Sequence, residues 1–226
     1  DEEKAAQMSE RIGSTCSGTG ACFQERMRRD GHAVLARDRK AELEALGVQV
    51  IDTKPLLHHW IISRERNIIV EGTQGFGLSC FHSDAYPRAT GRDTTAAQFL
   101  ADAGISPLDC DGVVMVLRSY PIRVAGDSGP LKGEMSWEDL TAKSGAAKPL
   151  HEITTVTKKT RRVGEFDAEL VKRAIWANKP SMIVMNHLDY IDPEIRDADV
   201  LTTKVNDWLF EIENKIGRHI DVVGTS

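Results

Sequence analysis

The sequence has few cysteines, no long apolar run and no excess of basic residues. Its four cysteines form no C-x-x-C pair and have no metal-ligand spacing with histidine, so the sequence predicts neither a zinc site nor a disulfide framework. The longest apolar runs, such as PSMIVM and GVVMVL, are far shorter than the roughly 20 residues needed to cross a bilayer. The first residues, DEEKAAQMSER, are acidic and unlike a signal peptide. These absences predict a cytoplasmic protein with free thiols and no membrane partner.

The charge balance is slightly acidic, with a formal net charge of −5 and a pI near 5.8. A general nucleic-acid binder needs a basic face that neutralises phosphates, and this balance does not supply one. We therefore expect no nucleic-acid partner, although local clusters of basic residues can still bind small anions. With 226 residues, 41% of them hydrophobic, the chain is long enough to bury a full core as one large domain or two small ones.

Apolar periodicity predicts helices and strands that alternate along the chain. The predicted helices lie at 21–47, with Gly31 as a break, and at 55–65, 94–104, 136–145, 167–179 and 200–217. The predicted strands lie at 48–52, 67–72, 111–120, 181–192 and 219–226. This alternation, with strands apolar on both faces, indicates an α/β fold with a mainly parallel sheet covered by helices. The stretch 125–159, rich in Gly, Ser, Thr and Lys, is predicted to leave the sheet.

Polar residues follow four of the predicted strands, as EGTQG, LRSYPIR, NHLDYID and GTS. Ligands bind outside the carboxyl ends of the strands in such sheets, so we expect these residues to share one ligand crevice. The segment 71–95, EGTQGFGLSCFHSDAYPRATGRDTT, consists largely of glycines, threonines and charged residues with one amide. That composition favours a loop that wraps a small polar molecule.

Three further segments suit a ligand, although each has a purely structural alternative. In 11–29, glycines and hydroxyls precede a helix, which favours either an anion site or a Ser/Thr-rich helix cap. In 154–167, basic residues interleaved with threonines form either a pocket for a carboxylate or phosphate or a solvated basic loop. In NHLD, Asn186 and Asp189 either read a purine edge or serve as a turn former and a helix cap.

Six of these segments occur in a fixed order: IGSTCSGTGACFQERMRR, VEGTQGFGL, YPRATGRDTTA, YPIRVAGDSGPL, TTVTKKTRRVGEFD and NHLDYID. The same segments in the same order are typical of adenylosuccinate synthetases, and EGTQG followed by YP and TTA is the most specific part. By this resemblance, which runs from residue 11 to residue 226, the chain is identified as a member of that family. The resemblance implies the P-loop-NTPase-like fold of adenylosuccinate synthetases.

The activity implied by the resemblance is that of a ligase that joins L-aspartate to C6 of a purine nucleoside monophosphate. Such enzymes phosphorylate the 6-oxo group with a nucleoside triphosphate, ATP or GTP, and the aspartate amine then displaces phosphate. Mg²⁺ is the implied cofactor. The family's phosphate loop, catalytic acid and base and Mg²⁺ ligands are N-terminal, and nothing before Arg11 resembles them. We expect residues 1–226 to be a single domain and a fragment, lacking that loop and the extreme C-terminus, with no metal ligand of its own.

The resemblance also implies roles for individual residues. Gln74 is the implied catalytic residue, because a fixed amide dipole at the purine 6-oxo region steadies charge developing on that oxygen. Contacts to the substrate nucleotide are implied for Thr15, Arg29, Gln74, Leu78, Thr90 and Val124. The 5′-phosphate is held by the two threonines, and the ribose is contacted by the segment that contains Val124. Arg29 matches an arginine that reaches the phosphate of the neighbouring subunit, which implies a homodimer.

Two other sets of contacts follow from the resemblance. The implied aspartate-binding residues are Thr157, Lys159 and Arg161, and the implied residues for the base of the triphosphate are Asn186 and Asp189. The usual bacterial loop, T-T-G-R-x-R-R, is replaced here by VTKKTRR, so Lys159 keeps the charge and loses the arginine fork. His187 stands where the family usually has Lys, which makes ATP a candidate donor beside GTP.

Short chains with TGRDTT-like and YPIRVAG-like segments resemble archaeal synthetases and, more closely, phage enzymes that act on GMP or dGMP. We therefore expect 2-amino-(deoxy)adenylosuccinate as the product, for diaminopurine nucleotide synthesis, in the host cytoplasm if the protein is phage-encoded. One alternative is an adenylosuccinate synthetase that acts on IMP with GTP. The other is a non-catalytic nucleotide-binding module, in which Gln74, Thr90 and Arg161 serve affinity alone.

Overall fold

A computed structural model describes residues 2–14, 16–155 and 158–226 of the protein. Its helices are α1 (Glu2–Ala5), α2 (Met8–Ile12), α3 (Thr19–Arg28), α4 (Lys40–Ala45), α5 (Thr53–Ser63), α6 (Ala96–Ala103), α7 (Trp137–Ser144), α8 (Ala168–Asn178) and α9 (Thr203–Ile216). Its strands are β1 (Val114–Arg118), β2 (Ile122–Arg123), β3 (Arg162–Val163), β4 (Met182–Asn186) and β5 (Val222–Val223). None of the helices in the described ranges has the length and apolar character needed to span a membrane.

The main sheet has three parallel strands in the order β1-β4-β5. Strand β1 pairs with β4 along its whole length, from Val114 opposite Met182 to Arg118 opposite Asn186. The carboxyl ends of these strands therefore lie side by side. A separate antiparallel pair joins β2 to β3. The mainly parallel sheet and the α/β class are thus confirmed, whereas the small antiparallel pair was not predicted.

Helices α7, α8 and α9 enclose the core next to β4. Ile183 and Met185 on alternate positions of β4 are completely buried, as expected for a strand covered by helices. Helix α9 presents an apolar stripe with helical spacing, formed by Val205, Leu209, Ile212 and Ile216. Each of these three helices begins at a side-chain cap, provided by Ser136, Asp167 and Thr202. Because caps and stripes are local signals, the predicted helices at 136–145, 167–179 and 200–217 are confirmed to within three residues.

The long predicted helix at 21–47 is two helices, α3 and α4, separated by a segment in which Gly31 has a φ of +86°. The predicted break at Gly31 is therefore confirmed. The predicted departure of 125–159 from the main sheet is also confirmed, since the described residues of that stretch contain α7 and no strand.

Two predicted strands do not form. Residues 67–72 have no strand structure, and the side chain of Ile69 is 90% exposed. Residues 48–52 are irregular and end at Asp52, which caps α5 by accepting a hydrogen bond from the backbone N–H of Lys54. A strand needs a neighbour for its backbone hydrogen bonds, and these runs have none within the described ranges. Apolar composition alone therefore gave the wrong prediction.

Candidate functional site

A cleft of about 2220 Å³ extends along β1 and past its carboxyl end. It is lined by the segment 67–78, by the loop 86–92, and by residues from the N-terminal segment and from 121–132. Five of the residues singled out in the sequence line this cleft, namely Gln74, Leu78, Thr90, Val124 and Arg161. The predicted shared crevice is therefore present only in part: EGTQG and residues of LRSYPIR line the cleft, whereas NHLDYID and GTS do not.

The loop that follows Gln74 is held by the buried carboxylate of Asp93. This carboxylate accepts hydrogen bonds from the hydroxyl of Ser79 (2.7 Å), the backbone N–H of Thr94 (2.7 Å) and the hydroxyl of Thr95 (2.5 Å). Burial by itself raises the pKa of Asp93, but these three donors outweigh it and hold the pKa below the ordinary aspartate value. The loop is thus closed by an ionised residue that the sequence analysis had not selected.

Gln74 and Thr90 are positioned by backbone geometry near this carboxylate. Gln74 has a φ of +70°, a conformation uncommon outside glycine, and its side chain is exposed in the cleft. The next residue, Gly75, is fixed because its carbonyl accepts a hydrogen bond from the hydroxyl of Thr94 at 3.0 Å. The backbone N–H of Thr90 donates to the carbonyl of Leu78 at 2.7 Å. An amide and a threonine thereby line the cleft.

The glycine-rich N-terminal segment lies against both loops. A Cβ placed on Gly13 would come within 2.9 Å of the Ser128 Cβ and 3.0 Å of a methyl group of Val124. At the other end of the segment, a Cβ on Gly91 would come within 2.8 Å of the Gly20 Cα. Only residues without side chains permit such close approaches. Three segments that are distant in sequence therefore converge, while the predicted phosphate ligand Thr15 lies outside the described residues.

Of the predicted aspartate-binding residues that the structure describes, Arg161 lines the cleft. Arg161 is fixed by its backbone, since its N–H donates to the Glu152 carbonyl (2.8 Å) and its carbonyl accepts from the Trp137 indole (2.7 Å). Its guanidinium Nε is buried and has no hydrogen-bond partner among the described residues. A buried donor without a partner is costly, and a bound carboxylate would satisfy it. Lys159 is exposed and does not line the cleft, and Thr157 lies outside the described residues.

Asn186 and Asp189 lie at the carboxyl end of β4, apart from the cleft residues. Asn186 approaches the chain beyond β5 so closely that a Cβ on Gly224 would lie 2.8 Å from its amide oxygen. The Asp189 side chain is completely buried and is held by Arg196 and Ser226. Direct contact of its carboxylate with a base therefore stays a prediction, and in this conformation the carboxylate is enclosed.

The buried polar cluster next to this strip was not predicted. Glu152 receives hydrogen bonds from the Arg118 guanidinium and from the Tyr190 hydroxyl, the latter at 3.1 Å. Burial, followed by the positive charge of Arg118, lowers the pKa of His187, whose buried Nδ1 has no partner in the described part of the chain. Burial and Glu152 raise the pKa of Tyr190. His187 is therefore a neutral residue at neutral pH, unlike the lysine usual at this position in the family.

Arg29 ends α3 in a left-handed conformation, is exposed and does not line the cleft. No group of three or more His, Cys, Asp or Glu side chains in the described ranges is arranged to hold a metal ion.

A parallel sheet with a glycine-lined cleft, an exposed amide and a buried arginine donor defines an α/β protein whose cleft suits a small anionic ligand. A model of the adenylosuccinate synthetase family matches residues 35–196. The chain therefore belongs to the adenylosuccinate synthetase family, as its motifs predicted. A curated adenylosuccinate synthetase from Methanococcus vannielii is 38% identical over 221 residues, which is 96% of this chain and 61% of that protein.

Other relatives and solved structures match nearly the whole of this chain and only part of their own length. The adenylosuccinate synthetase of Methanocaldococcus jannaschii is 33% identical, over 99% of this chain and 61% of its own length. The cyanophage S-2L succinoaminodeoxyadenylate synthetase, solved with dGMP and with dATP as an energy donor, matches with a TM-score of 0.78 and 33% identity, over 100% of this chain and 62% of that one. The Plasmodium falciparum adenylosuccinate synthetase has the same fold, with a TM-score of 0.76, 18% identity and coverage of 100% and 71%. The chain thus spans about three fifths of the curated relatives' length.

Proposed function

We propose that the intact protein is a ligase that joins L-aspartate to C6 of a purine nucleoside monophosphate at the expense of a nucleoside triphosphate. The observation that carries this proposal is the presence of Gln74, Thr90 and Arg161 in one cleft. These side chains supply an amide, a hydroxyl and a guanidinium, which suit a 6-oxo group, a phosphate and a carboxylate respectively. Membership of the family supports the same reaction class.

Each residue has a definite task in the proposed reaction. Gln74 steadies negative charge on the 6-oxygen while phosphate is transferred to it, because its amide is already oriented toward the cleft. The threonine hydroxyls bind the 5′-phosphate, and Leu78 and Val124 contact the nucleoside. The aspartate substrate is bound by the loop that contains Thr157, Lys159 and Arg161, and the triphosphate base by the strip that contains Asn186 and Asp189.

Residues 1–226 form one domain of the proposed enzyme, and a further segment of the intact protein fills part of the cleft. The cleft volume of about 2220 Å³ is more than twice the upper end of the roughly 300–1,000 Å³ usual for small-molecule pockets. Apolar side chains along it are open, with Val116 on β1 60% exposed and Ile69 90% exposed. We propose that this segment carries the phosphate loop and the Mg²⁺ ligands. Hydrogen exchange of the intact protein tests this proposal. The backbone amides of 67–70 should exchange slowly if a further segment covers the cleft, and rapidly if the cleft stays open.

Arg29 supports a homodimer in this proposal, because it is exposed and lies outside its own cleft. A guanidinium in that position is free to reach the phosphate bound by a second subunit. Sedimentation of the intact protein tests the dimer. Activity restored by mixing an Arg29→Ala variant with a Gln74→Ala variant would show that Arg29 acts on the partner's site.

The preferred substrate in this proposal is GMP or dGMP, giving 2-amino-(deoxy)adenylosuccinate. Support comes from the likeness to the cyanophage synthetase bound to dGMP, at 33% identity over the whole of this chain. The second candidate is IMP, supported by the archaeal adenylosuccinate synthetases at up to 38% identity. The two candidates differ in the 2-amino group of the purine.

Calorimetric titration of the intact protein separates these substrates, with dGMP, GMP and IMP each added in the presence of a donor analogue and Mg²⁺. Binding of dGMP or GMP at least tenfold tighter than IMP, about 1.4 kcal/mol, supports the diaminopurine reaction. The reverse order supports an adenylosuccinate synthetase. Aspartate-dependent phosphate release distinguishes either enzyme from a non-catalytic binding module, which would bind a monophosphate without turnover.

A further inference from the structure

The carboxylate of Asp189 is enclosed by donors from two directions. Its Oδ1 accepts the backbone N–H of Ser226 at 2.8 Å, and its Oδ2 accepts the Ser226 hydroxyl at 2.6 Å and the Arg196 Nε at 3.0 Å. A second guanidinium nitrogen of Arg196 also contacts Oδ2 and donates to the Ser226 hydroxyl at 2.7 Å. None of the Asp189 side chain is exposed.

This arrangement bears on how a base is recognised at the end of β4. Guanine presents two neighbouring donors, N1–H and the 2-amino group, which together match the two oxygens of a free carboxylate. Adenine has an acceptor at N1 and no 2-amino group, so a free carboxylate repels it there. Because Arg196 neutralises the Asp189 carboxylate and occupies its Oδ2, both the attraction for guanine and the repulsion of adenine are removed.

We propose that Arg196 is a specificity-determining residue that makes this protein use an adenine nucleotide as its phosphoryl donor. The inference rests on the proposed function, in which the strip containing Asp189 contacts the base of the triphosphate. Arg196 acts through Asp189 rather than on the reacting atoms. Its guanidinium is half exposed, and its removal leaves the buried Asp189 carboxylate with the two Ser226 donors alone, so the carboxylate charge is no longer neutralised and Oδ2 can accept a further donor.

A purely structural role is the alternative explanation, since the same contacts tie residues 193–197 to the end of the chain beyond β5. That role predicts a loss of stability on removal of Arg196, with no change in the choice of donor. The ratio of kcat/KM for ATP to kcat/KM for GTP separates the two roles, because a general loss of stability affects both donors alike.

The test uses the intact protein and its Arg196→Met variant, with release of ADP or GDP measured in the presence of aspartate and the preferred monophosphate. We expect the wild type to use ATP at least as well as GTP, because Arg196 removes the preference for guanine, and we expect the variant to lower the ratio for ATP over GTP at least tenfold, chiefly through a lower KM for GTP. Arg39→Met is the matched control, because Arg39 is in an exposed ion pair with Glu42 and does not line the cleft. The control should leave the ratio unchanged.

A wild type that prefers GTP, or an Arg196→Met variant that is folded and keeps the wild-type ratio, would overturn the inference. If Arg196→Met does not fold, Arg196→Lys keeps the charge but loses the fork, and a smaller fall in the ratio is then expected. If no donor supports turnover in a folded wild type, the proposed function fails. The inference is then judged by calorimetric binding of non-hydrolysable ATP and GTP analogues to the same variants, with the same expected ratios.

Discussion

The backbone N–H of Thr90 donates a hydrogen bond to the carbonyl oxygen of Leu78 over 2.7 Å. The two residues lie at opposite ends of a loop, and a second backbone bond, from Cys80 to the carbonyl of Arg92 at 3.1 Å, closes the loop in the same way. Both members of the first pair line the cleft. The geometry of the proposed nucleotide site therefore depends on the closure of this loop, which Asp93 stabilises from the inside.

Replacement of Asp93 by alanine should lower the free energy of unfolding by about 3 kcal/mol. The substitution leaves the donors of Ser79, Thr94 and Thr95 without their buried acceptor, and each unsatisfied buried group costs about 1–3 kcal/mol. Asp84→Ala is the control, since Asp84 forms an exposed ion pair with Arg173, and exposed ion pairs contribute little to stability. Urea unfolding of the intact protein measures both, and equal losses would contradict the role assigned to Asp93.

Stability should fall in acid because Asp93 and Asp189 have pKa values below the ordinary aspartate value. Burial opposes this shift in both residues, and hydrogen bonds from neighbouring donors outweigh it. A lower pKa in the folded state means that the unfolded state binds more protons, so this contribution is present above about pH 4 and is lost as pH falls through the folded-state pKa. The free energy of unfolding of the Asp93→Asn variant should depend less steeply on pH in that window. Urea midpoints measured over this pH range for the wild type and the variant give the dependence. Equal slopes of midpoint against pH in the two proteins would refute the expectation.

Substitution of Gly91 by alanine should separate the N-terminal segment from the loop that carries Thr90. The new Cβ would lie 2.8 Å from the backbone Cα of Gly20, so one of the two segments must move. We expect a lower melting temperature and weaker binding of the monophosphate. Gly75→Ala is the control for stability, because nothing lies within 4 Å of its Cβ position and its φ is −120°. That variant should stay within about 0.5 kcal/mol of the wild type, and a similar loss in both variants would disprove the contact.

Gln74→Ala should lower kcat of the intact protein by about 100-fold, since a fixed donor to a developing oxyanion contributes on that scale. The KM for the monophosphate should change much less. Gln49→Ala controls for loss of an amide, because Gln49 is exposed and does not line the cleft. Steady-state kinetics decides the matter, and a rise in KM at constant kcat would assign Gln74 to binding alone.

The parts of the fold that the sequence predicted are those with local signals. Helix α9 has an N-cap at Thr202, an apolar stripe and Gly217 at its C-terminal end, all within one short segment. The run 67–72 has the composition of a strand, yet strand formation also requires a neighbour that this segment lacks in the described ranges. A strand is a property of a pair, so the same type of apolar run forms a strand at β4 and none at 67–72.

The site was predicted in the same uneven way. Gln74, Thr90, Val124 and Arg161 were selected because their segments match family motifs, and all four line one cleft, while their roles stay predictions. Asp93 lies in one of the same motifs but was missed, because an aspartate among threonines gives no sign that it will be buried. Arg196 was missed because its contact with Ser226 spans 30 residues along the chain.

The sequence by itself determined the family, the α/β class, the capped helices and the chemical types available to the site. Those properties depend on the order of residues along the chain or on spacings within one or two turns. The tertiary structure alone decided which side chains meet and which are enclosed. It buried the Arg161 Nε with no hydrogen-bond partner among the described residues, and it closed the Asp189 carboxylate with Arg196 and Ser226. Burial and pairing arise when distant segments pack together, so residue spacing along the chain does not predict either.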